Sequence, residues 1–251
     1  MHFTTEDRFD GIVERTFIHN DIRGILWTPR AAGSIGSVPL VLAGQPGGPA
    51  GLERTHSRIF PRAQRAASAG IATATIEMPG SGGRPQAEGV GQARIEMRNA
   101  VSAGKPVPAG VIDRLVLPLV DQSVPEWQAT LDALLATPDI DGPIGYSGGV
   151  ISIGIRLAAI DPRIAAAVLF AGSYVPSFIL EQARHVMIPI HMLLQWDDEG
   201  NDRDIALLLF DAFGSRDKTL HANMGGHTGV PQHAGEEANR FLTRHLNAPG
   251  R

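Results

Sequence analysis

From residue 141 onward, short apolar runs alternate with amphipathic stretches, and this rhythm constrains the fold more than any other feature. Residues 141–146, 164–170, 189–195 and 218–222 read as strands. Residues 150–159, 205–213 and 236–246 between and after them read as helices. Strands that alternate with helices imply right-handed crossovers and a mostly parallel sheet with helices on both faces, an α/β fold. The first half adds a hairpin, residues 13–18 and 22–27, turned at Asn20-Asp21. Pro39-Leu40-Val41-Leu42-Ala43 is a strand buried on both faces. A helix over 58–69, ended by Gly70, leads to a strand over 71–76. Residues 81–125 mix glycine and proline with apolar pieces and read as an excursion over the core, helical in parts. A further helix covers 127–135.

The 251 residues are expected to form one domain, 1–251, with a cap-like excursion at about 81–125. The chain has no cysteine, which excludes a disulfide scaffold, thiolate metal sites and thiol catalysis. A formal charge of -4 argues against a nucleic-acid partner. No apolar run approaches the ~18 residues of a membrane span, and the acidic, polar start at Met1 is unlike a signal peptide. The expected location is the cytoplasm.

Chemistry in such sheets gathers at the carboxyl ends of the strands. There, Gly145-Tyr146-Ser147-Gly148-Gly149 matches G-x-S-x-G between a strand and a helix. The motif predicts that Ser147 sits on a strained turn with its hydroxyl raised above the sheet, and that the Gly148 N–H faces a developing oxyanion. A serine needs a base. Of nine histidines, His227 follows the last core strand between glycine-rich segments that suggest a mobile loop; His233 is the rival. The imidazole needs a carboxylate, and Asp197-Asp198 end the strand over 189–195. Neighbouring side chains diverge, so one of the two serves; Asp198 is favoured. The second oxyanion donor is expected in Gly44-Gln45-Pro46-Gly47-Gly48. Pro46 has no N–H, which leaves Gln45 first and Gly47 as the alternative.

This arrangement resembles the α/β-hydrolase superfamily, most closely its compact bacterial esterases and dienelactone-hydrolase-like members. The likeness rests on the elbow at 145–149, the loop at 44–48, the segment Glu77-Met78-Pro79-Gly80-Ser81-Gly82, and the order serine, acid, histidine. The chain departs from the pattern in having Gln45-Pro46 where many relatives have His-Gly, Glu77 for the usual aspartate, and serine where dienelactone hydrolases carry cysteine. The resemblance implies an α/β-hydrolase fold: a twisted sheet with an antiparallel N-terminal hairpin and a small cap insertion. It implies a serine hydrolase that cleaves a carboxylic ester or lactone through an acyl-enzyme on Ser147, His227 and Asp198, with Gln45 and Gly148 as oxyanion donors. Amide or thioester hydrolysis, acyl transfer, and a non-catalytic ligand-binding protein are the alternatives. No cofactor and no metal is expected. The expected partner is a small-molecule ester, and the oligomeric state, a homodimer included, stays open.

Overall fold

A computed structural model describes residues 1–32, 36–199 and 201–247. These form one nine-stranded sheet in the order β1-β2-β3-β5-β4-β6-β7-β8-β9. An antiparallel meander opens it: β1 (His2–Phe9), β2 (Ile12–His19) and β3 (Ile22–Pro29). Asn20 and Asp21 both take positive φ, 48° and 60°, as a two-residue hairpin turn requires. β3 joins β5 (Ala72–Ile76) antiparallel, and all later pairings are parallel: β4 (Val38–Gly44), β6 (Ile140–Gly148), β7 (Ile164–Phe170), β8 (Ile190–Gln195) and β9 (Lys218–Asn223).

Helices cover both faces. α1 (Leu52–Ser68) and α7 (Gln232–Leu246) share one face. α3 (Ala109–Leu135), α4 (Ile151–Ile160), α5 (Ser177–Ala183) and α6 (Arg203–Ala212) share the other, and α2 (Val90–Ser102) packs on α3. The alternation of side chains along a strand sorts the core between these layers. In β4, Leu40 and Leu42 join the cluster under α3 and α4, while Val41 joins the one under α7. In β6, the Gly145 position faces Leu242 and Leu246 of α7, and Tyr146 packs against Gly154 of α4.

Three elements differ from the sequence reading. β1 is a strand although it is polar: all eight residues are exposed, so no buried face imposes an apolar alternation. The separate excursion and helix merge into the 27-residue α3, which runs through Pro118 and Pro125. Its inner face, including Val120, Val124, Trp127 and Leu131, belongs to the main core cluster, and that burial offsets the backbone bonds the prolines forgo. α5 lies in a stretch with no assigned element in the sequence reading. No helix among the described residues is long and apolar enough to cross a membrane.

Candidate active site

The carboxyl ends of β4, β6, β7, β8 and β9 lie side by side, which draws the loops after them to one edge of the sheet. β8 ends at Gln195 and turns through Trp196 and Asp197. The turn is pinned to the strand beside it: the Trp196 N–H donates to Asn223 O (2.7 Å) and the Asp197 N–H to Gly225 O (3.2 Å). Gln195 Nε2 donates to Gly226 O at 3.1 Å. The segment leading into His227 is therefore tied to the turn after β8 rather than being the free swinging segment that its glycines suggest.

The two adjacent carboxylates separate. Asp197 Oδ2 accepts from the Gly225 N–H at 3.1 Å, a bond that shapes the loop. Asp198 Oδ2 lies 2.8 Å from His227 Nδ1. A carboxylate only accepts, so Nδ1 carries a proton, and in the neutral ring Nε2 is the acceptor. The Asp198 side chain is 2% exposed and that of His227 is 53% exposed. The charge that orients the ring is shielded, and the ring itself is open to a reactant. Phe170, at the end of β7, meets the imidazole edge-on with centroids 5.3 Å apart. His233, the rival base, sits on α7 with its ring 5.8 Å from His221, away from this pair.

His227 lines a cavity of about 540 Å³. Its walls include Gly44, Pro46 and Gly47 of the loop after β4, Gly148 and Gly149 after β6, and Leu115 and Leu119 of α3. The apolar residues of the excursion thus divide between two roles. Val116 and Leu119 are buried and also line the cavity, whereas Val120 and Val124 serve the core alone. Gln45 turns inward: it is 3% exposed, and its Nε2 donates to Thr75 Oγ1 at 2.9 Å. The Thr75 hydroxyl donates in turn to Ala43 O at 2.7 Å. The Gln45 side chain is thus turned into the core.

Ser147 is placed otherwise than the motif predicts. It remains in the strand, in register with Ala43 of β4 and Val168 of β7. Positive φ falls on the next two residues, Gly148 at 73° and Gly149 at 70°. Ser147 shares the face of Gly145 and lines a smaller neighbouring cavity of about 120 Å³ with Arg65, Ala66, Asn239 and Leu242. It does not line the His227 cavity, and no hydrogen bond among the described residues joins it to His227. The physical reason is the ladder to β4 and β7, which carries β6 one residue beyond the expected turn.

Gly149 is required where it stands. A Cβ there would lie 2.6 Å from the Gly44 backbone and 2.9 Å from Gln45 N, so the turn presses directly on the loop after β4. Arg62 of α1 borders both cavities. Burial, and then the like charges of Arg58 and Arg65, hold its pKa below the usual arginine value. Among the described residues no group of three or more His, Cys, Asp or Glu is placed to hold a metal ion.

No protein-family model matches the chain, and no curated protein matches it by sequence. Solved structures do. A cold-adapted esterase from an Arctic intertidal metagenomic library aligns over 98% of this chain and 100% of its own, at 26% identity and a TM-score of 0.74. An esterase of Pyrococcus furiosus aligns over 93% of this chain and 92% of its own, at 12% identity and a TM-score of 0.63. An acetyl xylan esterase of a Thermoanaerobacterium species aligns over 97% and 87%, at 11% identity and a TM-score of 0.62. The last two likenesses concern the fold alone. The sheet order, the placement of the helices and these alignments agree: the fold of this chain is that of the α/β-hydrolase superfamily.

Proposed function

We propose that the chain is an ester-cleaving hydrolase whose base is His227 held by Asp198. The observation that carries this reading is the 2.8 Å contact between the shielded Asp198 carboxylate and His227 Nδ1 beside a cavity of about 540 Å³. The likeness to the cold-adapted esterase, at 26% identity over nearly the whole of both chains, supports it.

In this reading the ester carbonyl enters between the loop after β4 and the turn after β6. Backbone N–H groups of that turn and of Gln45 or Gly47 face the oxygen on which charge develops. Each such donor is worth about 3 kcal/mol in the transition state. His227 Nε2 accepts the proton of the attacking hydroxyl and returns it to the leaving alcohol, and Asp198 stabilises the imidazolium in between. Two routes use this base. In one, Ser147 Oγ attacks and an acyl-enzyme forms, as the motif predicts. In the other, water attacks directly. The same groups would serve a lactone.

The test is a series of p-nitrophenyl esters of increasing acyl length, hydrolysed by the wild-type protein and by His227→Ala. Hydrolysis that falls by roughly 10³-fold or more in the variant supports the proposal. A folded wild-type protein that hydrolyses none of the series overturns it.

A further inference from the structure

The cavity beside His227 is lined by positive charge that no carboxylate answers. Arg58 and Arg62 of α1 and Arg94 of α2 border it. No aspartate or glutamate lines either this cavity or the smaller one at Ser147. The carboxylate of the site, Asp198, is shielded and already engaged with His227. Among the described residues, none of the three arginines forms an ion pair, although carboxylates stand close by in the chain. Glu96, on the same helix as Arg94, pairs instead with Arg114 of α3, and Glu126 pairs with Arg84. What meets the Arg94 guanidinium is the neutral side-chain amide of Gln86. Arg58 and Arg62 lie four residues apart, on one face of α1 with Thr55 and Ile59. Like charges at that spacing weaken a helix. The repulsion reaches the Arg62 guanidinium, whose pKa is lowered by burial and then by Arg58 and Arg65. The fold gains nothing from this arrangement, and an anion in the cavity would offset it.

We propose that the alcohol half of the substrate ester carries a compact anion, a carboxylate or a phosphate, and that Arg58, Arg62 and Arg94 bind it. The proposal rests on the ester-hydrolase reading with Ser147 as the nucleophile, and it names the substrate class. Which half of the ester bears the charge follows from the cavity that each side chain lines. Ser147 borders the smaller cavity, whose walls include Val41, Val168, Leu193 and Leu242. An acyl group on Ser147 Oγ enters that apolar space. His227 borders the larger cavity and gives its proton to the departing alkoxy oxygen, so the alcohol stands on that side. Arg58 and Arg94 border only the larger cavity, and Arg62 borders both. The planar fork of an arginine meets two oxygens of a carboxylate or phosphate at once. A cleft lined by one sign of charge also draws its substrate from solution, although the chain as a whole carries -4. The anion takes no part in bond making. The acyl carbon bonds to Ser147 Oγ, the bond to the alkoxy oxygen breaks as that oxygen takes the proton from His227, and water later releases the acid from the serine.

Acetate esters of matched phenols test this: methyl 4-acetoxybenzoate, which is neutral, 4-acetoxybenzoate, and 4-acetoxyphenyl phosphate. After correction for the uncatalysed rates, the wild-type kcat/KM is expected to be about tenfold or more higher for an anionic ester than for the neutral one. The carboxylate and phosphate arms show which anion is favoured. Arg62→Gln is expected to shrink the ratio of anionic to neutral kcat/KM by about tenfold. Equal or lower kcat/KM for both anionic esters, or a ratio that Arg62→Gln leaves unmoved, overturns the proposal. If Arg62→Gln fails to fold, the same ratio measured in Arg58→Gln and Arg94→Gln decides. If the wild type hydrolyses none of the three esters, the functional reading fails by itself, and calorimetric titration with 4-hydroxybenzoate and 4-hydroxyphenyl phosphate decides the anion site. Binding that weakens by about tenfold in Arg62→Gln supports the site, and no binding to the wild type overturns it.

Discussion

Asp197 and Asp198 are consecutive in the chain and point to different partners. Asp197 Oδ2 takes the Gly225 N–H at 3.1 Å, and Asp198 Oδ2 takes His227 Nδ1 at 2.8 Å. One carboxylate holds the loop, and the other holds the ring that the loop carries. Asparagine can replace the first, since its side-chain oxygen still accepts from an N–H. At the second it removes the charge that stabilises an imidazolium and can reverse the ring's tautomer. Asp198→Asn is expected to lower kcat for ester hydrolysis by roughly 10³- to 10⁴-fold. Asp197→Asn is expected to stay within about threefold of wild type. Steady-state kinetics on the two variants check both outcomes, and equal losses would refute the division of roles.

Gly149 couples the turn after β6 to the loop after β4. Its φ of 70° and the 2.6 Å approach of an added Cβ to the Gly44 backbone leave no room for a side chain. Gly149→Ala is expected to cost about 2–4 kcal/mol of stability. For a chain of this length that is a Tm lower by roughly 5–15 °C, measurable by thermal unfolding. A Tm equal to that of wild type would show that the two loops are not in contact.

Thr75 buttresses the same loop from beneath. Its hydroxyl accepts from Gln45 Nε2 and donates to Ala43 O, and both Gln45 and Thr75 are buried. Thr75→Val keeps the shape and strands two buried polar groups, each costing about 1–3 kcal/mol. The expected result is a protein destabilised by about 2–4 kcal/mol, with a larger loss than that of Thr75→Ser, which keeps the hydroxyl. Chemical denaturation of the two variants makes the comparison.

His191 imposes a pH dependence on stability. It lies on β8 with Nδ1 2.8 Å from Thr219 Oγ1, facing His221, Phe241 and Glu237. Burial first, and then His221, lower its pKa below the ordinary 6.5, against a smaller opposite effect of Glu237. The unfolded chain therefore binds the proton at a higher pH than the folded one. Stability is at its full value above about 6.5 and declines as the pH falls toward the depressed folded pKa. His191→Phe is expected to flatten that decline, as read from denaturation midpoints measured between pH 7.5 and 5. An unchanged slope would assign the dependence to other groups.

Much of the architecture is legible in local pattern. The continuous apolar run at 164–170 becomes β7 with those bounds, and Asn20-Asp21 turns the hairpin because both tolerate positive φ. Features whose cause is non-local read less well. β1 has no apolar alternation because it covers no core, and α3 passes two prolines because its far side is buried against the sheet. The meeting of a histidine and a carboxylate follows from chain order, since loops after successive strands meet at one edge. His227 and Asp198 meet there.

The sequence by itself determined the parallel α/β layout, the absence of a thiol, and the two loops that supply a histidine and a carboxylate. It could not place the end of β6. Gly145-Tyr146-Ser147-Gly148-Gly149 satisfies its motif in only one frame, which puts Ser147 at the turn. Whether the turn begins at Ser147 or after it depends on how far β6 stays bonded to β4 and β7. Those partners are distant in the chain, Ala43 about 100 residues before Ser147 and Val168 about 20 after it across α4. The tertiary structure decided it: pairing with Ala43 and Val168 holds Ser147 in the strand, and pairing with Gly44 carries β6 on to Gly148.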